Sequence, residues 1–386
     1  MTGSSAEKGS GRISMANPKI DYSEVAGKKA ECPEGCGLCC LCQPEVLGEE
    51  RHFFEKDHPR SLVKSKSPEP YLALALKKGR GSCVFLNGRR CLVYDNRPTY
   101  CRQFPYHIYV GDKIKVEMDL SCRGVWTEKG ADAEAEAKDI VLRAEGRINK
   151  AVKEAGEVYS EFYRNCKEAG VMGDPLAIRR SVSDNLDKFT DLAYISKVME
   201  LTMMEPVMNL ESIKEGPADL EGINEAAAAA ALESMATDNP VDAPVYCDEE
   251  WNWNIFLADS FSGKIEWMLL DDEGDLVKKG TVKAEEIGIK PLEPDGIEVL
   301  RRYVSILNQR ESFLGNVFSL MDATGYEDDM ANAYYGCLST TILDLLWRAS
   351  LIDHFMGTGM GERGIREAII FYDMDRLDAP TIGAFV

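Results

Sequence analysis

Cys32-Pro-Glu-Gly-Cys36-Gly-Leu-Cys39-Cys40-Leu-Cys42 opens a run of nine cysteines that continues through Cys83, Cys91, Cys101 and Cys122, out of twelve in the 386-residue chain. A soft metal needs thiolates converging to about 2.3 Å, and C-x2-C or C-x3-C turns bring two sulfurs round one point. Cys32, Cys36 and Cys39 meet that spacing. Gly35 and Gly37 flank the middle cysteine, where a tight loop needs positive φ or clearance beside a bound group. Cys39 and Cys40 are neighbours in sequence, so their side chains are expected to diverge, serving two sites or one site and a packing role.

The chain is long enough to bury a full core without cross-links, and its length suggests roughly two to three domains. Residues 1–18 read as a disordered leader without the apolar core of a secretory signal. The most apolar segment, Cys337 to Met356, is broken by Asp344, Arg348, Asp353 and His354, so no membrane insertion is expected. These features predict a cytoplasmic protein in a reducing compartment, where dense cysteine spacing signals metal ligation or redox chemistry more than disulfides.

The net charge of −20 is uneven. Residues 1–18 carry two basic and one acidic residue and residues 19–126 carry 18 basic against 14 acidic, which leaves 25 basic and 50 acidic beyond. An acidic bulk repels phosphate backbones, so no nucleic-acid partner is expected. The basic excess around the cysteines suits thiolate-bound metal, whose net negative charge Arg and Lys offset.

Four segments follow: the leader 1–18, a loop-rich cysteine-ligated metal domain over 19–126, a helical region over 127–238, and an α+β domain of unknown role over 239–386. The fold class expected is α+β. Pro70 to Lys78 reads as a helix-like piece, and Ala131 to Gly170 as one long amphipathic helix with apolar residues at three- to four-residue steps. Asp184 to Met208 and Gly222 to Ala236 read as further helices, joined by a loop over Asn209 to Leu220. A boundary is expected at Asp238 to Pro244. Beyond it come strands at Trp251 to Ala258, Lys264 to Leu270 and Asp275 to Lys283, helices at Gly296 to Met321 and Asp329 to Met356, and a last strand at Ala368 to Tyr372.

The second half of the array reads Cys83-Val-Phe-Leu86, then Cys91-Leu-Val-Tyr94, then Arg97-Pro98-Thr-Tyr-Cys101-Arg102-Gln-Phe104-Pro105, and a late Cys122. This resembles the YkgJ-type cysteine-cluster proteins, a zinc- or iron-chelating family with the signature C-x2-CG-x-CC, C-x-x-L, C-x-IY, RP-x-x-CR-x-FP and a late cysteine. The likeness covers Cys32 to Gly124, with a three-residue first gap in place of two and Cys42 as an extra cysteine. It implies that Cys32, Cys36, Cys39, Cys40, Cys83, Cys91, Cys101 and Cys122 are the metal ligands. Eight thiolates suffice for two four-ligand sites, for one cluster and a zinc, or for one cluster with spare thiols.

All-cysteine ligation suits both zinc and an iron-sulfur cluster. Closed zinc modules show two C-x2-C knuckles, whereas here the second half has gaps of seven, nine and twenty residues, which favours an iron-sulfur cluster of the 4Fe-4S kind. Arg97 and Arg102 flank the seventh ligand and either donate to the cluster or form surface salt bridges. Pro98 and Pro105 shape turns. Cys166, Cys247 and Cys337 are expected as buried small apolar residues, and His107 as a hydrogen-bonded structural histidine near the site. His52 and His58 are expected to be exposed, and His354 to sit at a helix C-terminus.

Gly359-Met-Gly361-Glu-Arg-Gly364 matches G-x-G-x-x-G only formally, since it is expected to follow a helix and precede a strand. Trp251, Trp253, Phe256 and Trp267 suggest an aromatic face on the small sheet, explained by core packing. No catalytic or organic-cofactor residue is identifiable. The functions in competition are an iron-sulfur redox or electron-transfer protein, working with a protein partner or within a larger enzyme complex, and a zinc module with an acidic partner-binding domain. A third follows from the cysteine-rich start of flagellin lysine N-methylases, which implies S-adenosylmethionine-dependent methyl transfer to a protein lysine, although no adenosylmethionine loop is recognisable.

Overall fold

The computed structural model describes residues 19–65, 70–202, 204, 209–213, 219–236, 243–259 and 261–386. The leader expected over 1–18 lies outside them, as do parts of the helix expected to reach Met208, the loop before Leu220 and the boundary before Pro244. The architecture is α+β, with several small sheets and a helical majority.

The first sheet has four strands in the order Ile20–Asp21, Ile114–Met118, Tyr106–Val110 and Ala384–Phe385, so both ends of the described chain pair with one central hairpin. That hairpin is almost wholly buried and joins the main apolar core, which runs from Val25 to Val386. The second sheet is an antiparallel meander of Val245–Cys247, Trp253–Asp259, Lys264–Leu270 and Leu276–Lys283. Alternating apolar residues and Gly-containing turns made three of these strands legible.

Helix Ala133–Ala169 fills the amphipathic stretch, with Asp132 Oδ1 accepting from Ala135 N at 2.8 Å and Gly170 closing it at φ 77°. Helix Met330–Met356 is buried on nearly every side and packs against helices Leu192–Thr202, Leu220–Met235, Glu311–Ala323 and Glu362–Leu377.

Several expectations need correction. Ala368 to Tyr372 is not a strand but the middle of helix Glu362–Leu377, and all five residues are buried. A helix buried all round loses its 3.6-residue contrast and reads like a buried strand. The stretch from Gly296 to Met321 is two helices, Pro294–Gln309 and Glu311–Ala323, broken at an extended Arg310 whose side chain is drawn into a buried ion cluster. Pro70 to Lys78 holds strand Leu72–Leu74 and a short 3-10 turn, Lys77–Gly79, because it pairs with Leu62–Lys64. The segment expected as helix from Asp184 instead begins with a 3-10 turn, Leu186–Thr190, before helix Leu192–Thr202; helix Pro175–Asp184 precedes it.

Candidate metal centre

The loop 31–42 holds five cysteines on one 3-10 turn, Leu38–Leu41, and its approach. Gly35 and Gly37 adopt φ 94° and 63°, and a Cβ at either would press on the Trp251 ring at 3.0 Å or the Trp253 ring at 3.1 Å. Positive φ and clearance are both required here, and the clearance is for the second sheet. Cys83 N donates to Cys40 O at 2.7 Å, which ties the second cysteine segment to the first.

Strands Leu86–Asn87 and Arg90–Cys91 form a hairpin whose two turn residues, Gly88 and Arg89, have φ 55° and 61°, the pattern of a type I′ turn. This hairpin carries Cys91 on one limb and aims Arg89 at the second sheet. Arg89 donates to Cys36 O at 3.1 Å, stacks 3.4 Å over the Trp253 ring and pairs with Asp272 at 3.0 Å. Trp253 Nε1 donates to the same Cys36 carbonyl at 2.8 Å. Helix Thr99–Gln103 brings in Cys101, and Glu50 anchors it by accepting from Thr99 N and Oγ1, both at 2.7 Å, and from Arg102 at 3.1 Å.

These elements enclose a cavity of about 330 Å³ lined by Cys32, Cys39, Cys40, Cys42, Cys83, Cys91 and Cys101. Its other walls are apolar apart from Glu34, Arg89, Arg90 and Arg97. Arg90 pairs with Glu34, and Arg97 stacks 3.7 Å over Tyr94 while donating to Tyr94 O at 3.0 Å. Burial pushes the Cys83 thiol up to about 11 and that of Cys101 higher, with neighbouring cysteines adding to both. Cys39 and Cys40 do not diverge to separate sites; both line this cavity and share a hydrogen bond that lowers Cys39 and raises Cys40.

Two of the eight expected ligands, Cys36 and Cys122, are not on the cavity wall. Both are buried, and Cys36 lies in a small apolar cluster with Leu38, Leu86, Trp253 and Cys247. The Cys36 thiol is pulled down to about 7, first by a hydrogen bond with Cys247 and then by Leu38 N–H, Arg123 and Arg89, against its burial. Among the described residues no three His, Cys, Asp or Glu side chains converge closely enough to hold a single ion.

The remaining candidates fall elsewhere. His107 is half-buried against Phe385 with Nε2 3.5 Å from Asp119 Oδ2, away from the cavity wall. His58 is half-buried against Phe53 and Phe85 rather than exposed, while His52 and His354 are exposed. Cys166 is fully buried in the main core, and Cys337 is half-buried. The Gly359 to Gly364 loop opens helix Glu362–Leu377, not a strand, but it follows a helix and faces Glu293 and Asp295, carboxylates that would repel a phosphate.

Residues 31–123 match the family model described as "CxxCxxCC: Putative zinc- or iron-chelating domain". This segment is similar to that family of domains. No curated protein and no solved structure matches the chain. A metal-binding role for the domain follows from the match and from its thiol-rich cavity. No helix among the described residues is long and apolar enough to cross a membrane. Sequence reasoning missed Arg89, although Asn87-Gly88 after Phe85-Leu86 signals a hairpin. It also missed the contacts of Trp253 and Cys247 with this domain, for which no local signal exists.

Proposed function

We propose that the domain over residues 31–123 holds an iron-sulfur cluster of the 4Fe-4S kind, and that the protein serves electron transfer or the redox part of a larger enzyme complex in a reducing compartment. The observation that carries this reading is seven cysteines around one cavity of about 330 Å³. A lone ion binds at most four thiolates, so it would engage only part of the seven cysteines on this wall. A bound cluster would supply reversible one-electron chemistry.

The chain's own residues supply the rest. Cys32, Cys39, Cys40, Cys83, Cys91 and Cys101, with Cys42 beside them, would hold the group. Arg89, Arg90 and Arg97 offset the negative charge of metal-bound thiolates. Thiols kept protonated by burial must lose their protons as metal binds, so affinity rises with pH. Cys32, Cys42, Leu92 and Tyr94 are exposed at or beside the cavity, which favours a docked protein partner exchanging electrons there.

Purification without oxygen, followed by iron, sulfide and zinc analysis and a visible spectrum, tests the proposal. Iron with matching sulfide and sulfur-to-iron charge-transfer absorption is expected, and Cys83→Ser and Cys101→Ser should each deplete it while Cys166→Ser should not. Stoichiometric zinc without that absorption would replace the cluster reading with a structural zinc module, and neither metal would overturn both.

A further inference from the structure

We infer that Trp251 is a positioning residue for the metal loop: its ring, held on a strained turn of the second sheet, clamps Gly35 and so sets where the loop places its cysteines. The inference rests on the metal-binding reading above and adds a residue from outside residues 31–123.

Strands Val245–Cys247 and Trp253–Asp259 are joined by residues 248–252, and within that turn Trp251 sits in the left-handed region at φ 66°. Glycine or asparagine is the ordinary occupant of such a position, and a bulky side chain there is an outlier. The turn holds the outlier in place. Asp248 is buried, and its carboxylate accepts from Glu250 N at 3.0 Å, Asn252 N at 2.8 Å, Asn252 Nδ2 at 3.0 Å and Asn254 Nδ2 at 2.9 Å. Trp251 N itself donates to Asp248 O at 3.1 Å. Strain of this kind persists only where its surroundings over-determine it, and it gathers at functional sites.

What the ring touches gives the strain its use. A Cβ on Gly35 would lie 3.0 Å from Trp251 Cδ1, and one on Gly37 3.1 Å from Trp253 Cζ2, so the two rings cover the glycines on either side of Cys36. The Cys36 carbonyl between them is held by Trp253 Nε1 and Arg89. Beyond Gly37 the turn Leu38–Leu41 carries Cys39 and Cys40 to the cavity wall, and before Gly35 the chain brings Cys32 to the same wall. Trp253 and Arg89 fix the loop after Cys36, and Trp251 fixes it before. Cys32 and the Cys39–Cys40 pair are thereby in place ahead of any metal, which spares binding the cost of ordering the loop. Glycine at position 251 would satisfy the turn without strain, so the turn gains nothing from the indole; the metal loop does.

The test compares the natural full chain with Trp251→Gly and Trp251→Asn, which relieve the strain and remove the ring, and with Trp251→Phe, which keeps a ring on the same strained backbone. In metal-free protein, alkylation of the buried Cys36 by iodoacetamide is followed by peptide mass spectrometry. In protein loaded anaerobically with iron, or with zinc where iron does not bind, metal loss to EDTA is timed. Trp251→Gly and Trp251→Asn should quicken alkylation about fivefold and metal loss about tenfold, with amide protection of helix Met330–Met356 unchanged, while Trp251→Phe stays within about twofold of the natural chain. Unchanged metal loss in Trp251→Gly and Trp251→Asn overturns the inference whatever happens at Cys36, because the ring is then packing. So does a Trp251→Phe chain as loose as Trp251→Gly, and so does lost protection of helix Met330–Met356 in both ring-less variants, which would make the ring part of the global fold. A natural chain that takes up neither metal sinks the underlying reading, whereas unaltered loss from loaded ring-less variants sinks only this one.

Discussion

The Arg310 cluster and the cysteine cavity both gather groups from distant parts of the chain, yet they are satisfied in opposite ways. Arg310 is 1% exposed and gives every guanidinium nitrogen a partner: Nε and Nη2 reach Glu24 Oε1 at 3.0 and 2.9 Å, Nη1 reaches Asp373 Oδ1 at 2.7 Å, and Nη2 also reaches Met118 O at 2.7 Å. Asp373 in turn accepts from Tyr303 and from Leu120 N. Of the side-chain atoms in this cluster only Glu24 Oε2 lacks a hydrogen bond among the described residues. In the cavity the thiols face one another, and burial keeps Cys83 and Cys101 protonated. A closed polar network reads as structure and an open one as a binding site.

Breaking the closed network should have the largest effect. Arg310→Met leaves Glu24 and Asp373 buried without their cation, which costs about 3–5 kcal/mol. Urea denaturation is expected to show that loss, while metal content per folded chain stays unchanged. A loss below about 1 kcal/mol would mean that the two sites differ less than their geometry says.

An effect of about 3 kcal/mol is expected at Glu117, one strand position from Met118 and hydrogen-bonded to Ser312. Burial first, and then the charge of Glu24, push its carboxyl up to about 7 against Arg310 and Ser312. The folded state therefore holds this proton more tightly than the unfolded chain, whose carboxyl titrates near 4.5. Its contribution to stability is full below pH 4.5 and is lost as pH rises to about 7. Glu117→Gln should flatten that part of the curve of urea midpoint against pH. Superimposable curves for the two proteins would remove Glu117 as its source.

How much of this was legible followed from how local each signal is. The nine clustered cysteines announce metal chemistry because their spacing and their Gly and Pro neighbours lie within one stretch. Helix Ala133–Ala169 and the meander strands carry their periods on their surfaces. Helix Glu362–Leu377 hid because burial on all sides erased its period, and the break at Arg310 hid because no Pro or Gly marks it. The partition of the cysteines was hidden for a third reason. Cys36 turns away from the cavity toward Cys247 and Trp253, and Trp253 lies 217 positions further along the chain than Cys36. Aromatic residues on a sheet look alike whether they fill a core or clamp a metal loop.

The finest test of the comparison is therefore at the seam between the two regions, where Arg89 serves both. Its guanidinium has one face for the Trp253 ring and separate N–H groups for Cys36 O and Asp272. Lysine carries a point charge on a flexible stem and cannot stack and donate in two fixed directions at once. Arg89→Lys should leave Trp253 as the remaining donor to the Cys36 carbonyl, at a cost of about 0.5–1 kcal/mol. Because Arg89 is only part-buried and Trp253 stays in place, the loss should be local. Amide exchange at Cys36 to Cys40 is expected to quicken about two- to fivefold while helix Met330–Met356 keeps its protection. If both quicken together, the seam is part of the global fold, and the metal loop has no stability of its own for the second sheet to set.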